Sequence, residues 1–253
     1  MPLALTRPVP RSIDRCELTH LERTPIDFDR ATAQHEDYEN MLRALGCVVE
    51  RIEPADDLPD SVFVEDAVVV LDEIAVLTRP GAPSRRSETA GVERAIARYR
   101  AIQRMSAPAC LDGGDVLRIG RTIYVGISGR TNEEGARQLA AAGAPFGYTV
   151  ECVGVSGCLH LKSAITSAGE AVVVCNPEWV DARSFRGCEV IPVDRGEPFA
   201  GNVFRIGATI VCAAAYPRTA DVLRRRGYDV HLVDASELAK AEAGVTCCSV
   251  IVA

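Results

Sequence analysis

The chain has 253 residues, a formal net charge of −7, 47% hydrophobic and 25% charged residues, which are the proportions of an ordinary globular protein. The negative charge disfavours nucleic acid and anionic membranes as partners, and no apolar run reaches the roughly 18–20 residues that cross a bilayer. The ten cysteines form no C-x-x-C pair, and the N-terminal residues do not resemble a secretory signal. We therefore expect a cytoplasmic protein with reduced thiols and no metal site.

A repeat organises the chain. Five segments start with a polar or glycine-rich turn, continue as a β-branched run and mostly return as a second apolar run. They follow one another at roughly 40 to 50 residues, a period typical of propellers and related repeat architectures. In chain order they are Asp66–Leu71 with Ile74–Leu77, Gly114–Gly120 with Thr122–Val125, Ser163–Thr166 with Ala171–Val174, Gly201–Gly207 with Thr209–Cys212, and Ser249–Val252. The fifth lacks its return strand, which the N-terminal Leu3–Thr6 can supply by closing a ring. The repeat predicts one α/β domain, residues 1–253, built as a five-unit ring.

Helical patterns lie between these hairpins. We expect helices at Gln34–Gly46, at Arg86–Arg104, from Thr131 or Asn132 to Gly143, and at Thr219–Gly227. One face of the second carries the apolar residues Val92, Ala95, Ile96 and Tyr99. Glycine is expected to end the third and fourth. Arg15–Arg30 has no clear periodicity and is predicted to be a mobile loop or lid.

Reactive side chains fall at nearly the same point of four repeat units. Glu65 and Asp66 start the first hairpin, and Asp112 comes two residues before the second. His160 comes three residues before the third hairpin, and Cys247 comes two before the last. Because equal positions in equal units of a ring lie at one height, we expect these side chains to converge near its axis.

Each residue taken alone has a simpler explanation. Cys247 and His160 could be core residues, and Asp112 could be a turn residue. Glu65 and Asp66 are harder to explain, since adjacent acids at the mouth of a buried strand lose hydration unless a cation meets them. The matched positions of all five favour a functional site.

Two arginines follow the first and second hairpins, again in phase. Arg85 and Arg130 could be solvated, but a positive charge at a helix start is unfavourable, and a bound carboxylate would offset it. The carboxylates would select a planar cation, and the arginines would select a carboxylate. A ligand that carries both groups is an arginine derivative. A thiolate facing a guanidinium carbon, with a histidine as acid and base, describes C–N cleavage through a covalent intermediate.

Six motifs carry a wider resemblance. They are Phe63–Asp66, Thr78–Arg86, Leu111–Leu117, Arg130–Asn132, Leu159–Ser163 and Thr246–Val250. Together they resemble the dimethylarginine dimethylaminohydrolases of the pentein superfamily, from about Leu3 to the C-terminus. The resemblance implies a five-bladed β/α propeller that hydrolyses Nω-methylated arginines to citrulline and methylamine or dimethylamine. It implies a small-molecule substrate and no cofactor, and it leaves a homodimer open.

The resemblance also assigns roles. Cys247 would be the nucleophile, His160 the general acid and base, and Asp112 the carboxylate that orients the histidine. Cys248 would be the non-catalytic neighbour, and zinc bound by Cys247 and His160 would inhibit. The implied substrate contacts are Glu65 and Asp66 at the guanidinium group, Asp60 as a further acid, Arg85 and Arg130 at the α-carboxylate, Leu18 in the lid, and Ala241 through its backbone.

Three alternatives compete with this interpretation. An arginine deiminase, or a hydrolase of another substituted arginine, would share the motifs and differ in the pocket for the Nω substituent. A catalytically silent propeller that only binds a partner would have no need for a thiol, an imidazole and acids in phase. A papain-like peptidase would need a different context around the cysteine and no acids for a cation.

Overall fold

Five three-stranded sheets form the frame of the described part of the chain, residues 1–252, in this computed structural model. The strands are β1 Leu3–Thr6, β2 Val48–Arg51, β3 Val68–Val70, β4 Ile74–Leu77, β5 Ala101–Arg104, β6 Val116–Ile119, β7 Thr122–Ile127, β8 Thr149–Gly154, β9 Ile165–Gly169, β10 Val172–Cys175, β11 Glu189–Pro192, β12 Phe204–Ile206, β13 Thr209–Ala213, β14 Asp229–Val233 and β15 Val250–Val252. Their order in the sheets is β15-β1-β2, β3-β4-β5, β6-β7-β8, β9-β10-β11 and β12-β13-β14. In each sheet the central strand pairs antiparallel with the first strand and parallel with the third.

The two ends of the chain share one sheet. Leu3 pairs with Val252 and Leu5 with Val250, antiparallel, and β1 then pairs in parallel with β2. The predicted closure of the ring by the N-terminal strand is confirmed. The closing sheet thus joins the two ends of the chain, and the ring has no gap between its first and last units.

Five hydrophobic clusters hold the ring together, and each lies between two neighbouring sheets. Leu5 and Val250 of the closing sheet, for example, pack with Val68 and Ala75 of the next sheet along the ring. Burial of apolar surface is therefore spread around the whole circle instead of lying in one central core. The predicted five-bladed β/α propeller is confirmed.

The third strand of each sheet was not predicted. β2, β5, β8, β11 and β14 lie on the outer edges, and most of their residues are exposed or half-buried. Without a buried face they carry little apolar alternation, which is the signal that identifies a strand in a sequence.

Six helices cross between the strands in the described residues: α1 Phe28–Ala44, α2 Thr89–Ile96, α3 Glu133–Gly143, α4 Leu161–Ala164, α5 Pro217–Arg225 and α6 Ser236–Ala239. None of them is long and apolar enough to cross a membrane. α1 starts six residues before the predicted Gln34, because Asp27 caps it by accepting from the Arg30 amide. α5 starts at Pro217, whose missing N–H costs nothing in a first turn.

The predicted helix Arg86–Arg104 is wrong in its second half. The helix ends at Ile96, and Ala101–Arg104 is the edge strand β5. Val92 and Ile96 are buried as expected, whereas Tyr99 is 37% exposed and lies outside the helix.

The third helix starts as predicted and ends differently. Asn132 caps it by accepting from the Gly135 amide. Gly143 is the last α-helical residue with an ordinary φ of −84°, and a 3₁₀ turn carries the chain on to Gly147. Gly147 has φ of +79° and is the residue that requires glycine.

The predicted lid is a loop for most of its length. A 3₁₀ turn spans Ile13–Arg15, and α1 starts at Phe28, so that only the last residues of the predicted segment are helical.

Candidate active site

A small cavity receives side chains from four units of the ring and from the lid. Its lining consists of Glu17, Asp60, Phe63, Asp66, Arg85, Arg130, Leu159, His160, Ala241, Glu242, Ala243 and Cys247. Seven of the ten predicted site residues are in this set, and Glu65, Asp112 and Leu18 are not. The convergence expected from the repeat is therefore observed for the thiol, the imidazole and one of the three acids in phase, Asp66.

Short turns before the inner strands place these groups. Val64–Ala67 and Gly113–Asp115 are 3₁₀ turns that lead into β3 and β6, and His160 directly precedes the short helix α4. Gly114 has to lack a side chain, since a Cβ there would lie 2.7 Å from Cδ2 of His160 and 2.9 Å from Oδ1 of Asp66. The imidazole thus rests against backbone.

Asp115 holds the imidazole. Its Oδ2 lies 3.2 Å from Nδ1 of His160, and its Oδ1 accepts from the Leu161 amide at 2.9 Å. Ser128 and Thr131 each donate a hydroxyl to Oδ2 at 2.7 Å. Asp115, three residues further along the same motif than the predicted Asp112, is therefore the carboxylate that contacts Nδ1 in this structure.

Two other carboxylates face the second ring nitrogen. Nε2 of His160 lies 3.7 Å from Oδ1 of Asp66 and 3.8 Å from Oδ2 of Asp112. Although burial alone would lower it, Asp115 and then Asp66 raise the pKa of His160 to about 9. At neutral pH the ring is an imidazolium, ready to donate a proton.

The two carboxylates differ in pKa. Burial opposes ionisation of Asp66, but His160 and Arg85 outweigh it and hold the pKa of Asp66 well below its usual range. Burial and the nearby Asp66 raise the pKa of Asp112 to about 6. Asp66 is therefore the permanent anion of the site.

Three buried polar atoms at this point have no hydrogen-bond partner within the described residues: Oδ2 of Asp112, Nε2 of His160 and Nη1 of Arg130. Leaving such atoms unpaired is costly, so they are the atoms that a polar ligand would satisfy.

The cluster of Asp66, Asp112 and His160 has ligand atoms within 4.8 Å of one another, which suits a metal ion. However, both carboxylates already face a guanidinium, Asp66 that of Arg85 and Asp112 that of Arg130. An imidazolium also has no free lone pair, so His160 would have to lose a proton before it could bind a metal. The donor set therefore fits a metal ion poorly.

Cys247 lies on a loop held by backbone contacts. Its Sγ accepts from the Gly244 amide at 3.3 Å, and its carbonyl accepts from the Glu65 amide at 3.2 Å. Burial, and then Glu65 and Asp66, raise the pKa of the thiol to about 12. Cys248 is buried and packs in a hydrophobic cluster. The thiol of Cys247 is therefore neutral until a cation arrives beside it.

Glu65 differs from its prediction. Its carboxylate accepts from Nζ of Lys162 at 2.5 Å and from the Thr246 hydroxyl at 2.7 Å, and it does not line the cavity. Because the side chain is committed to two partners, the guanidinium contact predicted for it does not fit this geometry.

Arg85 lines the cavity, but its donors are used within the protein. It donates to Asp66 at 2.8 Å and to Glu88 at 3.0 Å, and it also contacts the carbonyls of Asp60 and Phe63. The α-carboxylate contact predicted for Arg85 is therefore replaced by support of Asp66.

Arg130 remains available for an anion. One of its amino groups donates to the Thr19 hydroxyl at 3.2 Å, and the other, Nη1, makes no hydrogen bond and has only an ion-pair contact of 3.7 Å with Oδ2 of Asp112. It is the guanidinium that can reach a substrate carboxylate from the cavity wall.

Three sets of hydrogen bonds hold the lid over the cavity. Asp60 accepts from the Glu17 amide at 3.1 Å, Arg130 reaches Thr19, and the carboxylate of Glu242 accepts from three successive lid amides, Thr19, His20 and Leu21. Leu18 packs against a hydrophobic cluster and lies outside the cavity lining. Ala241 lines the cavity and is 5% exposed.

Three residues of this site were missed by sequence reasoning. Asp115 stood within the quoted Leu111–Leu117 motif, and Lys162 within Leu159–Ser163, yet neither had a role. Glu242 follows the predicted contact Ala241 and gave no signal, because its partners lie in a lid more than 200 positions earlier in the chain.

A larger, more apolar cavity of about 170 Å³ adjoins this site and shares Glu242 and Ala243 with it. Its walls include Phe199, Ala213 and Tyr216, and neither His160 nor Cys247 lines it. The reactive groups, and not the size of the cavity, therefore identify the smaller one as the candidate site.

The fold has known counterparts. The N-terminal domain of a cyanobacterial arginine dihydrolase superposes with a TM-score of 0.89 at 20% identity, over 100% of this chain and 97% of that one. Together with the ring of five sheets and a thiol and an imidazole at its centre, this likeness places the fold among the penteins.

More similar proteins narrow the class. A family model for eukaryotic N,N-dimethylarginine dimethylhydrolase matches residues 18–207. The dimethylarginine dimethylaminohydrolase of Streptomyces coelicolor is 46% identical over 246 residues, 96% of this chain and 94% of that protein. That of Pseudomonas aeruginosa is 34% identical over 239 residues, 94% of this chain and 93% of that protein. A cysteine-to-serine mutant of the Pseudomonas enzyme, solved with citrulline, superposes with a TM-score of 0.94 at 33% identity over 98% of both chains. The chain belongs to the dimethylarginine dimethylaminohydrolase family.

Proposed function

We propose that this enzyme hydrolyses Nω-methylated arginines to citrulline and methylamine or dimethylamine, with Cys247 as the nucleophile and His160 as the general acid and base. One observation carries the proposal: Cys247 and His160 line one cavity together with a permanent anion, Asp66, and an incompletely paired cation, Arg130. Family membership supplies the substrate class.

The charges of the cavity suit both ends of such a substrate. The guanidinium group would lie between Asp66 and Cys247, since an ion pair with Asp66 offsets its loss of hydration. The α-carboxylate would bind Nη1 of Arg130. Asp60, held by the lid amide of Glu17, would meet a further polar group of the amino acid, and Ala241 would contribute a backbone contact.

The chemistry then follows from the charge states. The bound cation lowers the pKa of the Cys247 thiol, because an opposite charge favours the thiolate. The thiolate attacks the guanidinium carbon, the imidazolium of His160 protonates the leaving amine, and an S-alkylthiouronium remains on the enzyme. Neutral His160 then takes a proton from water, the hydroxide adds to the same carbon, and the C–S bond breaks to release citrulline and restore the thiolate.

A substrate panel with citrulline detection tests the proposal. Asymmetric dimethylarginine and monomethylarginine should be turned over, and Cys247→Ser should lose on the order of 10⁴-fold or more in kcat while keeping its circular dichroism spectrum. Arginine as the best substrate by a wide margin would replace the proposed activity with a deiminase. Unchanged turnover by Cys247→Ser would remove the nucleophile.

We also infer that the enzyme works in a reducing compartment, the cytoplasm. All ten cysteines are free, and six of them are buried. Thiol titration of the unfolded protein, prepared without reductant from the native source, should give the full count of ten. A lower count would indicate disulfides and a different compartment.

A further inference from the structure

Asn202 joins the loop of the histidine to the loop of the cysteine. Its Nδ2 donates to the Lys162 carbonyl at 2.9 Å and to the Thr246 hydroxyl at 3.1 Å, and its Oδ1 accepts from the Thr246 amide at 3.2 Å. Lys162 is two residues after His160, and Thr246 is one residue before Cys247. A single amide group, 6% exposed, thus spans the two reactive segments.

The loop that carries Gly244 and Cys247 also packs closely against the side-chain amide of Asn202. A Cβ at Gly244 would lie 2.3 Å from Cγ and Oδ1 of Asn202, so the backbone of residue 244 can approach this closely only as glycine. The amide of the same Gly244 donates to Sγ of Cys247. Asn202 therefore supports both the residue before the thiol and the N–H that contacts it.

The repeat supplies an independent argument. Asp115 and Asn202 occupy the same place in two units, Gly114–Gly120 and Gly201–Gly207, one residue before the inner strand β6 and two before β12. Asp115 fixes His160 through its carboxylate, and Asn202 fixes the segment before Cys247. A neutral amide suits the second place, because a further anion there would raise the pKa of the thiol.

We propose that Asn202 is a positioning residue that sets the location of Cys247 relative to His160. This inference rests on the proposed function, since it assumes that these two groups react with one substrate. Asn202 contributes no atom to the cavity lining, so its effect is exerted through Thr246 and Gly244.

Two variants and a matched control test the inference. Asn202→Asp keeps the shape and the acceptor but loses both donors and adds charge, and Asn202→Ala removes all three hydrogen bonds. Asn176 is the control, because it is also a buried amide, 3% exposed, that donates to a loop carbonyl, Pro198 at 3.0 Å, away from the site. The measurements are kcat and KM, the thermal midpoint, and the pH dependence of Cys247 alkylation by iodoacetamide, located by mass spectrometry.

We expect Asn202→Ala to lower kcat by about 10²-fold with little change in KM, since misplacing a reacting group by about 1 Å has an effect of this order. Asn202→Asp should also shift the alkylation profile to higher pH. Asn176→Ala should lower the thermal midpoint comparably and leave kcat within about 3-fold. Equal losses of kcat in the two alanine variants, or a wild-type rate and alkylation profile in Asn202→Asp, would overturn the inference.

The alkylation profile needs no substrate, and it separates two kinds of failure. If the wild-type enzyme did not turn over methylated arginines, the proposed function would fail, and the response of Cys247 to the Asn202 variants would still be measured. A variant that does not fold is recognised by its circular dichroism spectrum, and Asn202→Asp, which is isosteric, then carries the test.

Discussion

In the free enzyme, Cys247 is a neutral thiol and His160 is an imidazolium. A cysteine already activated by a free base would instead be a thiolate beside a neutral imidazole. The imidazole keeps its proton, since its pKa is raised to about 9, and the thiol keeps its own, since its pKa is raised to about 12. In the proposed mechanism, the acid for the leaving amine is thus in place before substrate binds, and the thiolate forms only when a cation is present. Such an arrangement protects the thiol from electrophiles that carry no positive charge.

Alkylation of the free enzyme measures this state directly. Glu65 is the largest electrostatic contribution, after burial, that keeps the Cys247 thiol protonated. Glu65→Gln should therefore lower the pKa of Cys247 and increase its rate of alkylation by iodoacetamide at pH 8. Glu73→Gln, which removes a carboxylate paired with Arg121 away from the cavity, should leave the rate unchanged. A Glu65→Gln rate equal to wild type would show that burial alone sets the reactivity.

The decrease of kcat at high pH measures the pKa of His160. Asp115 makes the largest contribution that raises the pKa of this imidazole, so Asp115→Asn should lower that pKa. Because the acid must be protonated to act, wild-type kcat should decrease above about pH 9, and in Asp115→Asn the decrease should begin at lower pH. We expect a loss in kcat of about 10²–10⁴-fold, the range typical of a general acid.

Ser128→Ala is the control for this change. It removes one hydroxyl that donates to Asp115 and keeps the carboxylate, so its alkaline limb should stay near that of wild type. An Asp115→Asn enzyme with the wild-type limb would mean that another group supplies the proton.

The repeat predicted which residues lie together at the site, but it did not predict the direction of their side chains. Position in the repeat brought Cys247, His160 and Asp66 to one place without any knowledge of contacts. It could not separate Asp112 from Asp115, because the direction of each carboxylate depends on a short 3₁₀ turn. The pairing of Arg85 with Glu88 was missed because the predicted helix began at Arg86, whereas Pro83–Glu88 is a 3₁₀ turn that includes both residues.

At the scale of elements, the lid is fixed to the C-terminal part of the chain by one side chain. Glu242 has φ of +61°, a conformation that costs energy outside glycine. The strained backbone directs its carboxylate at the amides of Thr19, His20 and Leu21. Three donors on one carboxylate offset the strain and hold Thr19 next to Arg130.

Weakening this contact should loosen the lid. Glu242→Gln keeps the size of the side chain but replaces a carboxylate acceptor with a neutral amide, and hydrogen bonds to a charged group are stronger than those to a neutral one. We expect KM for dimethylarginine to rise by about 10-fold, kcat to change less, and amide exchange at residues 19–21 to accelerate.

The exposed lid residue Glu22 provides the comparison. Glu22→Gln makes the same chemical change in the same loop and should alter neither KM nor amide exchange. If both variants raised KM equally, loss of lid charge, and not loss of the Glu242 contact, would be responsible.

Elements that bury a face could be predicted, and those that do not were missed. The inner and central strands carry β-branched runs, and they were located in all five units. The edge strands have no such pattern, and Ala101–Arg104 was even absorbed into a helix, because its register is fixed only by pairing with β4. Tertiary context therefore decided where local sequence was ambiguous.

At the scale of the whole molecule, closure by β1 makes every sheet a neighbour of two others. Each of the five clusters is shared by adjacent sheets, so opening the ring at one place exposes surface on both sides of the break. The repeat in the sequence was sufficient to predict this closure. The fifth unit lacks its second strand, and the N-terminal strand is the one that can complete it. Unfolding as one cooperative unit follows from the same geometry, and it is a prediction for residues 1–253.

Leu5→Ala tests that cooperativity. Leu5 is fully buried in the cluster between the closing sheet and the β3–β4 hairpin, and a buried leucine-to-alanine change costs about 2–5 kcal/mol. Urea unfolding should be followed by circular dichroism and by the fluorescence of Trp179, the single tryptophan, which packs on Phe199 in another part of the ring. Both midpoints should fall together, whereas Leu21→Ala, at a lid position 39% exposed, should change neither. A Trp179 midpoint that stayed at the wild-type value while the circular dichroism midpoint fell would show that the chain unfolds in separate parts, and the single-domain prediction would then be wrong.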